Sequence, residues 1–564
     1  MKKRNIGLFA VGALGAAYLT KKVKEEKKVT KEMEVEEEIS SRYYGDKQVY
    51  LIGGGIATMA AAAYLIRDAN FNGKNIHVIE GMSILGGSND GIGSNETGFV
   101  ARGGRMLNEE TYENFWELFD SIPSLEWENH SVTEEILNFD HLHPTHAQAR
   151  LVTNTQEILD AHTMGFDNED RMAMTKLMST AEENLDGLTI EEWFGPHFFE
   201  TNFWYMWQTT FAFQKWSSLF ELRRYMNRMI LEFSRIDTLE GVTRTPLNQY
   251  DSLILPLRTF LEKHGVDFTL NEDVVDLEFA SGEEITVTAL KLGNGGMIEL
   301  AEEDVVIMTN GTMTDCSTEG DWKTPAPEVT EESRSARLWR NIAKKKEGLG
   351  NPEPFFGNEK ETNWESFTVT CRGDKLLKRI EAFSGNIPGS GALMTLKDSS
   401  WLMSTVVAAQ PHFKNQDADT TIFWGYGIYT DKVGDYVKKP MRDCTGEEIL
   451  YEWICQMGWQ EDWEEIKKDI VTVIPVYMPY IDSQFQPRKM TDRPQVVPAN
   501  STNFAMVSQF VEIPKDMVFT EEYSVRAARI AVYTLFEIDK EIIPVTPYNR
   551  DPKVLAKAGK TMFR

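Results

Sequence analysis

Cysteine is scarce in this chain. Of 564 residues only Cys316, Cys371, Cys444 and Cys455 are cysteine, and no two form a CxxC pair. Neither a disulfide framework nor a zinc site is signalled, and a reducing compartment fits. Basic residues are also short, with 59 Lys and Arg against 87 Asp and Glu and a formal charge of -28. Such a surface repels phosphate instead of releasing its counterions, which excludes a general nucleic-acid binder. Internal repeats and long low-complexity tracts are missing, so solenoid and fibrous classes fall away. A full membrane span is missing too: the apolar stretch from Asn5 to Thr20 is about 16 residues long, against the roughly 20 that a span needs.

That stretch lies between basic clusters. Lysines follow it directly and no small-x-small cleavage site is evident, which argues against a signal peptide. Two readings of residues 1–28 stay open: a short or tilted anchor at the inner face of the membrane, or a frayed, weakly amphipathic extension. Residues 29–45 read as an acidic linker. The remainder, with a hydrophobic share of 41% and an aromatic share of 11%, is ordinary globular sequence with length for two or three domains.

The linker is followed by "KQVYLIGGGIATMAAAAYLIRD", a strand, a glycine turn and an Ala-rich helix. Gly53 permits the tight turn, and Gly55 lets backbone amides approach a pyrophosphate at the helix N-terminus. The third glycine of the usual pattern is Thr58. A second strand, "KNIHVIE", ends in Glu80, placed to accept hydrogen bonds from ribose hydroxyls. Next come "GGSNDGIG", with Gly87 and Ser88, and then Arg102-Gly103-Gly104-Arg105. Such loops let backbone approach a large planar cofactor while guanidiniums supply charge beside its phosphates, which favours FAD over NAD.

The segment "HFFETNFWYMWQTTFAFQKW" carries nine aromatics between Phe198 and Trp216. On a helix this is too much apolar surface for one stripe, so burial nearly all round or a cavity wall is expected. The interleaved Asn202, Tyr205, Gln208 and Thr209 favour the wall, because buried amides and hydroxyls need partners. Residues 241–325 return to strands and turns, ending in the buried run "DVVIMTNG", and "STNFAMVSQFVE" before "FTEEYSVRAARIAVYTLF" is again strand then helix.

In this order the motifs resemble the oleate hydratases, the FAD-dependent fatty-acid hydratases formerly called myosin-cross-reactive antigens. The resemblance spans roughly residues 46 to 562 and is carried by "AAAAYLIRD", "GFVARGGRML", "LFDSIPSLE", "ETNFWYMWQTTFAFQKW", "LKDSSWLMS", "QPHF", "WGYGIY" and "EYSVRAARIAVY". It implies addition of water to a cis double bond of a free long-chain unsaturated fatty acid, of the oleate to 10-hydroxystearate type. FAD would shape the site and its electrostatics without carrying electrons through turnover. Protonation at one alkene carbon needs a donor, and attack at the other needs an activated water. Carried over, the donor is Tyr205, one residue off the spelling of many members.

The water activator of many members is an acid directly after RGGR, and here that position is Met106. A thioether takes no proton from water, so Glu109 becomes the candidate, with Glu110 beside it, three and four residues on and able to reach back along one helical face. The carboxylate-binding stretch T-x-N-R-Q-P-H reads Val406 to His412 here and keeps Gln410, Pro411 and His412. Asn202, Gln208, Gln410 and His412 are the expected substrate contacts. FAD is expected on Gly53, Gly55, Glu80, Gly87, Ser88, Arg102, Gly103, Gly104, Arg105, Asn310 and Asn503.

The fold expected is α/β: a Rossmann-like FAD-binding domain assembled from 46–158, 241–325 and 486–545. An α+β substrate domain would be inserted at 326–485, with a helical, aromatic-rich cap at 159–240. The basic tail 546–564 and the basic N-terminus suit contact with anionic lipid. The resemblance leaves monomer and dimer open. Two other classes share these features. The glycine motifs alone also fit a flavin oxidoreductase of the amine oxidase or desaturase type. Met106 and the lost carboxylate donors also fit an inactive lipid-binding member.

Overall fold

Short apolar runs with no polar alternation demand burial on both faces, and a parallel sheet provides it. The computed structural model describes residues 35–89, 91–103 and 106–564, so Gly104, Arg105 and the expected anchor lie outside the described residues. The strands are β1 (Val49–Ile52), β2 (Ile76–Glu80), β3 (Asp267–Leu270), β4 (Val305–Thr309) and β5 (Phe504–Val507). Their spatial order is β5-β4-β1-β2-β3, and every neighbouring pair is parallel. Chain order runs outward from β1 through β2 to β3, then restarts on the other side with β4 and β5. The reversal leaves a crevice beyond the carboxyl ends of β1 and β4, where ligands enter doubly wound sheets.

The helices that bear on the site are α1 (Ile56–Ala69), α2 (Asn202–Phe211), α3 (Leu219–Arg228), α4 (Glu521–Leu535) and α5 (Pro552–Thr561). The alanines of α1 let α4 lie close along it. Thr58, in place of the third glycine, is fully buried, and its hydroxyl donates to the Gly53 and Gly55 carbonyls at 2.5 and 3.1 Å. The extra side chain therefore staples the turn instead of prising it open.

A second sheet has seven strands, in the order Thr318–Glu319, Ile470–Met478, Trp364–Arg372, Thr420–Gly427, Met403–Val406, Met394–Leu396 and Leu151–Val152, and its two end strands lie outside the 326–485 expected for an insert. Its pairs are antiparallel, except that the edge strand Leu151–Val152 runs parallel to Met394–Leu396. In α2 every residue but Asn202 and Tyr205 is buried, as the aromatic density requires. Its rings mostly pack into core: Phe203 stacks on Trp207 at 5.4 Å and tilts against Phe233 at 5.1 Å.

The stretch 35–41, expected as linker, is a helix, because Val35 and Ile39, one turn apart, are buried in the main core. Among the described residues no helix is long and apolar enough to cross a membrane.

Candidate active site

The crevice at β1 opens into a cavity of about 450 Å³. At one end of it stands the glycine turn. Gly53 has φ +100°, and a β-carbon there would lie 3.1 Å from Thr309, so the turn and the approach of β4 both favour glycine. A β-carbon on Gly55 would meet nothing within 4 Å; its free side faces the cavity, ahead of the amides of α1. Glu80 ends β2 with Oε2 accepting from the Gly54 N–H at 2.6 Å and Oε1 from the Met82 N–H at 2.7 Å. Burial pushes its carboxyl up, partly offset by those two amides. Gly87, Ser88, Arg102 and Gly103 line the same cavity. Arg102 donates to the Gly87 carbonyl at 2.7 Å and the Thr314 carbonyl at 3.0 Å, bracing two loops across the floor.

The other end is lipid-like. Phe211, Leu393, Val406, Trp424, Tyr426 and Met478 contribute to its walls, with Trp364 stacked on Tyr426 at 4.8 Å. A second cavity of about 50 Å³ adjoins it, and the two share Ser88, Asn89, Gly103, Val406 and Trp424. The small cavity is lined by Arg244, His412, Ala408 and Ala409. Arg244 is buried, and its Nε and Nη2 have no hydrogen-bond partner. His412 Nδ1 is likewise buried without one. Burial first, and the Arg244 charge second, pull the His412 imidazole down to about 4, so it is neutral at pH 7. A cation and a neutral imidazole with unmet hydrogen bonds face one small space. Nothing about Arg244 marks it in the sequence, where it is one arginine in a polar turn.

The MCRA family model matches residues 46–533. The chain belongs to that family. It is 40% identical over 557 residues to a linoleate hydratase of Lactiplantibacillus plantarum, covering 91% of this chain and 98% of that one. It is 36% identical over 515 residues to an oleate hydratase of Streptococcus pyogenes serotype M49, covering 88% and 86%. Among solved structures it aligns with a cyclohexylamine oxidase of Brevibacterium oxydans at 12% identity and a TM-score of 0.48, over 87% of this chain and 99% of that one.

The residues carried over from the MCRA resemblance do not all converge. Met106 lines the large cavity. Glu109 does not: it is half exposed and faces His141 at 3.5 Å, while Glu110 pairs with Arg235 at 3.0 Å. The helical reach expected of them is absent, because segment 106–108 is held extended by Leu107, whose backbone exchanges two hydrogen bonds with Thr243. Glu232, unmarked in the sequence, lines the cavity instead.

From α2 the cavity receives Thr209, Thr210 and Phe211, whereas Tyr205, one turn earlier, is half-buried with Lys397 Nζ 5.1 Å from its ring. Asn202 donates to the Thr163 carbonyl at 2.9 Å, and Gln208 donates to Gln214 and to the Tyr429 hydroxyl, each at 3.0 Å. Neither lines a cavity. Gln410 bonds to backbone at Ala408 and Ile422 and so shapes the loop that carries His412. Asn310 and Asn503 are buried braces: the first ties Phe510 and Ser508, the second ties Val287 and Asp304. Both hold strand ends behind the cavity instead of facing into it.

Proposed function

We propose that this chain adds water to a cis double bond of a free long-chain unsaturated fatty acid beside bound FAD. The observation that carries this reading is Arg244: a buried guanidinium with unmet donors, in the small cavity that shares Val406 and Trp424 with the apolar end of the large one. Its charge-assisted bonds suit a carboxylate, with His412 as a second, neutral partner. The acyl chain would pass Val406 and Trp424 into the large cavity, each buried methylene contributing about 0.8 kcal/mol. Val406, Ala408 and Ala409 stand where many members carry polar donors, so here the cation at the head comes from another segment.

The residues present fit FAD. Gly53, Gly55, Glu80, Gly87, Ser88, Arg102 and Gly103 form one continuous wall, with open space over Gly55 and a helix N-terminus for the pyrophosphate. Bound flavin would supply a planar, polar wall to the reaction space. The alkene takes its proton from a phenol, for which Tyr205 is the candidate. Tyr112, Tyr225 and Tyr426 line the cavity, which Tyr205 does not, but their hydroxyls already donate to the carbonyls of Met106, Val518 and Thr209. The hydroxyl of Tyr205 has no such bond among the described residues, and Thr209, which bonds to the Tyr205 carbonyl at 2.7 Å, carries that helix face into the cavity.

Incubating the flavin-loaded protein with oleate and linoleate in heavy-oxygen water is expected to give hydroxy acids carrying the label. A product formed with steady consumption of oxygen or an electron acceptor would instead select the oxidoreductase reading, and tight binding without product the inactive one. Contact with a membrane surface is part of the proposal: α5 exposes Lys553, Lys557 and Lys560 together with Leu555, followed by Phe563. Deleting residues 552–564 is expected to weaken sedimentation with anionic vesicles and leave neutral vesicles unaffected; unchanged sedimentation would remove that part.

A further inference from the structure

The large cavity contains a carboxylate that no sequence motif announced. Glu232 sits in the short helix Ile230–Phe233, with its side chain 4% exposed, on the wall that also holds Met106 and Met229. Its position is built, not incidental. The Asn108 amide donates to Oε1 at 2.9 Å, and Asn108 is two residues beyond Met106. The extended pairing of Leu107 with Thr243 draws that segment against 241–243. Gly241 makes the room: a β-carbon there would fall 2.1 Å from Glu232 Oε1 and 2.4 Å from Oε2.

Arg235 donates to Glu232 from Nε at 3.1 and 3.2 Å and from Nη2 at 2.5 Å, and the same Nη2 also serves Glu110 at 3.0 and 3.1 Å. One cation is thus shared by two carboxylates, and Glu232 keeps proton affinity that an exclusive partner would remove. Burial raises its carboxyl above the usual range, Arg235 partly opposes this, and Glu110 adds to it.

We propose that Glu232 is the base that accepts a proton from the attacking water, the role that Met106 cannot fill. This rests on the hydratase reading above. In the step, the alkene π pair takes a proton from the donor phenol at one carbon, and the water oxygen bonds to the other. One O–H bond of that water breaks and its proton passes to the Glu232 carboxylate. Exchange with solvent then returns one proton to the phenolate and removes one from Glu232. The net change is addition of H and OH, and no oxidant or reductant enters.

The test uses the full chain loaded with FAD and measures initial rates on oleate for the wild type, Glu232→Gln, Met106→Glu, their double variant and Glu521→Gln, which changes another buried carboxylate of the same cavity wall. Loss of a general base predicts a fall in kcat of about 10²–10⁴-fold in Glu232→Gln, with KM and flavin content near the wild type. The acid limb of the kcat profile, set by Glu232 with Arg235 and Glu110 facing it, is expected to vanish. The double variant should regain at least tenfold, since a carboxylate at 106 faces the same space; a merely structural Glu232 would not be rescued from there.

Should Glu232→Gln fail to fold, Glu232→Asp keeps the charge but retracts it by one methylene, and a slowed rate with the acid limb intact is expected. Retention of more than a tenth of the rate in Glu232→Gln, a loss that Met106→Glu does not recover, a full rate in Glu232→Asp, or a collapse confined to Glu521→Gln would each overturn the assignment. A wild type that makes no hydroxy acid refutes the hydratase reading before any variant is compared, and the assignment falls with it.

Discussion

Replacing Arg244 with methionine is expected to make the protein more stable and the enzyme far worse. The guanidinium is buried, with Nε and Nη2 unpartnered, and the carboxylate that touches it electrostatically is Asp140. Burying a polar group without its hydrogen bonds costs about 1–3 kcal/mol, so an apolar side chain of similar length recovers energy of that order. The backbone N–H of residue 244, which donates to Asp140 at 3.1 Å, survives the change.

Binding moves the other way. Truncating one partner of a buried charge pair costs about 2–5 kcal/mol, which at 1.36 kcal/mol per decade is a fall in kcat/KM for oleate of about 30- to 5000-fold. Thermal melting of the substrate-free protein and steady-state kinetics check the two signs. A residue that merely held the fold would lose both together.

The second large effect lies in the buried ion network behind the cavity. Asp516 joins Arg228 of α3 at 3.0 Å to Arg526 of α4 at 2.8 Å, and the three side chains are 1%, 1% and 4% exposed. Arg228 also reaches Glu113. Through these contacts α3 is fixed to α4, whose first residue, Glu521, lines the cavity. Asp516→Asn leaves two buried guanidiniums short of a charge, and a loss of about 3–5 kcal/mol is expected in denaturant unfolding at pH 7.

Burial alone would raise the Asp516 carboxyl, but Arg228 and Arg526 outweigh it and hold it below the ordinary 3.8. The unfolded chain therefore takes up this proton first as pH falls. The stabilisation is complete above pH 3.8 and disappears as pH drops through the lower folded value. Wild type and variant should consequently converge in acid and diverge most at neutral pH.

What the sequence discloses here is local. A glycine turn between an apolar strand and an Ala-rich helix, with Glu80 closing the next strand, specifies itself through backbone conformations that few residues adopt, so this strand-turn-helix is legible in the sequence. Thr58 shows the limit: its hydroxyl bonds to its own turn, a compensation that a glycine pattern does not encode. The far end depends on contacts between distant segments. Arg244, His412 and Trp424 meet only when the 241–249 turn packs on the second sheet, and Glu232 shares a cavity wall with Met106 where Gly241 leaves room for its carboxylate.

Burial decides these roles, and a lone Arg or Glu in a polar stretch does not report its own burial. The same reason separates Glu109 from the site. A reach along one helical face needs local helix, and the extended pairing of Leu107 with Thr243 replaces it. The aromatic helix was legible as buried, but only its last turn reaches the cavity, since most of its rings serve core packing.

A buried Arg244 beside the apolar cavity would select a free acid over its ester. The ratio of kcat/KM for oleate to that for methyl oleate, in the wild type and in Arg244→Met, measures this most directly. A ratio above about 30 is expected in the wild type, falling to near one in the variant because the acid loses what the ester never had. Equal turnover of acid and ester by the wild type, or a ratio unchanged by the substitution, would contradict it.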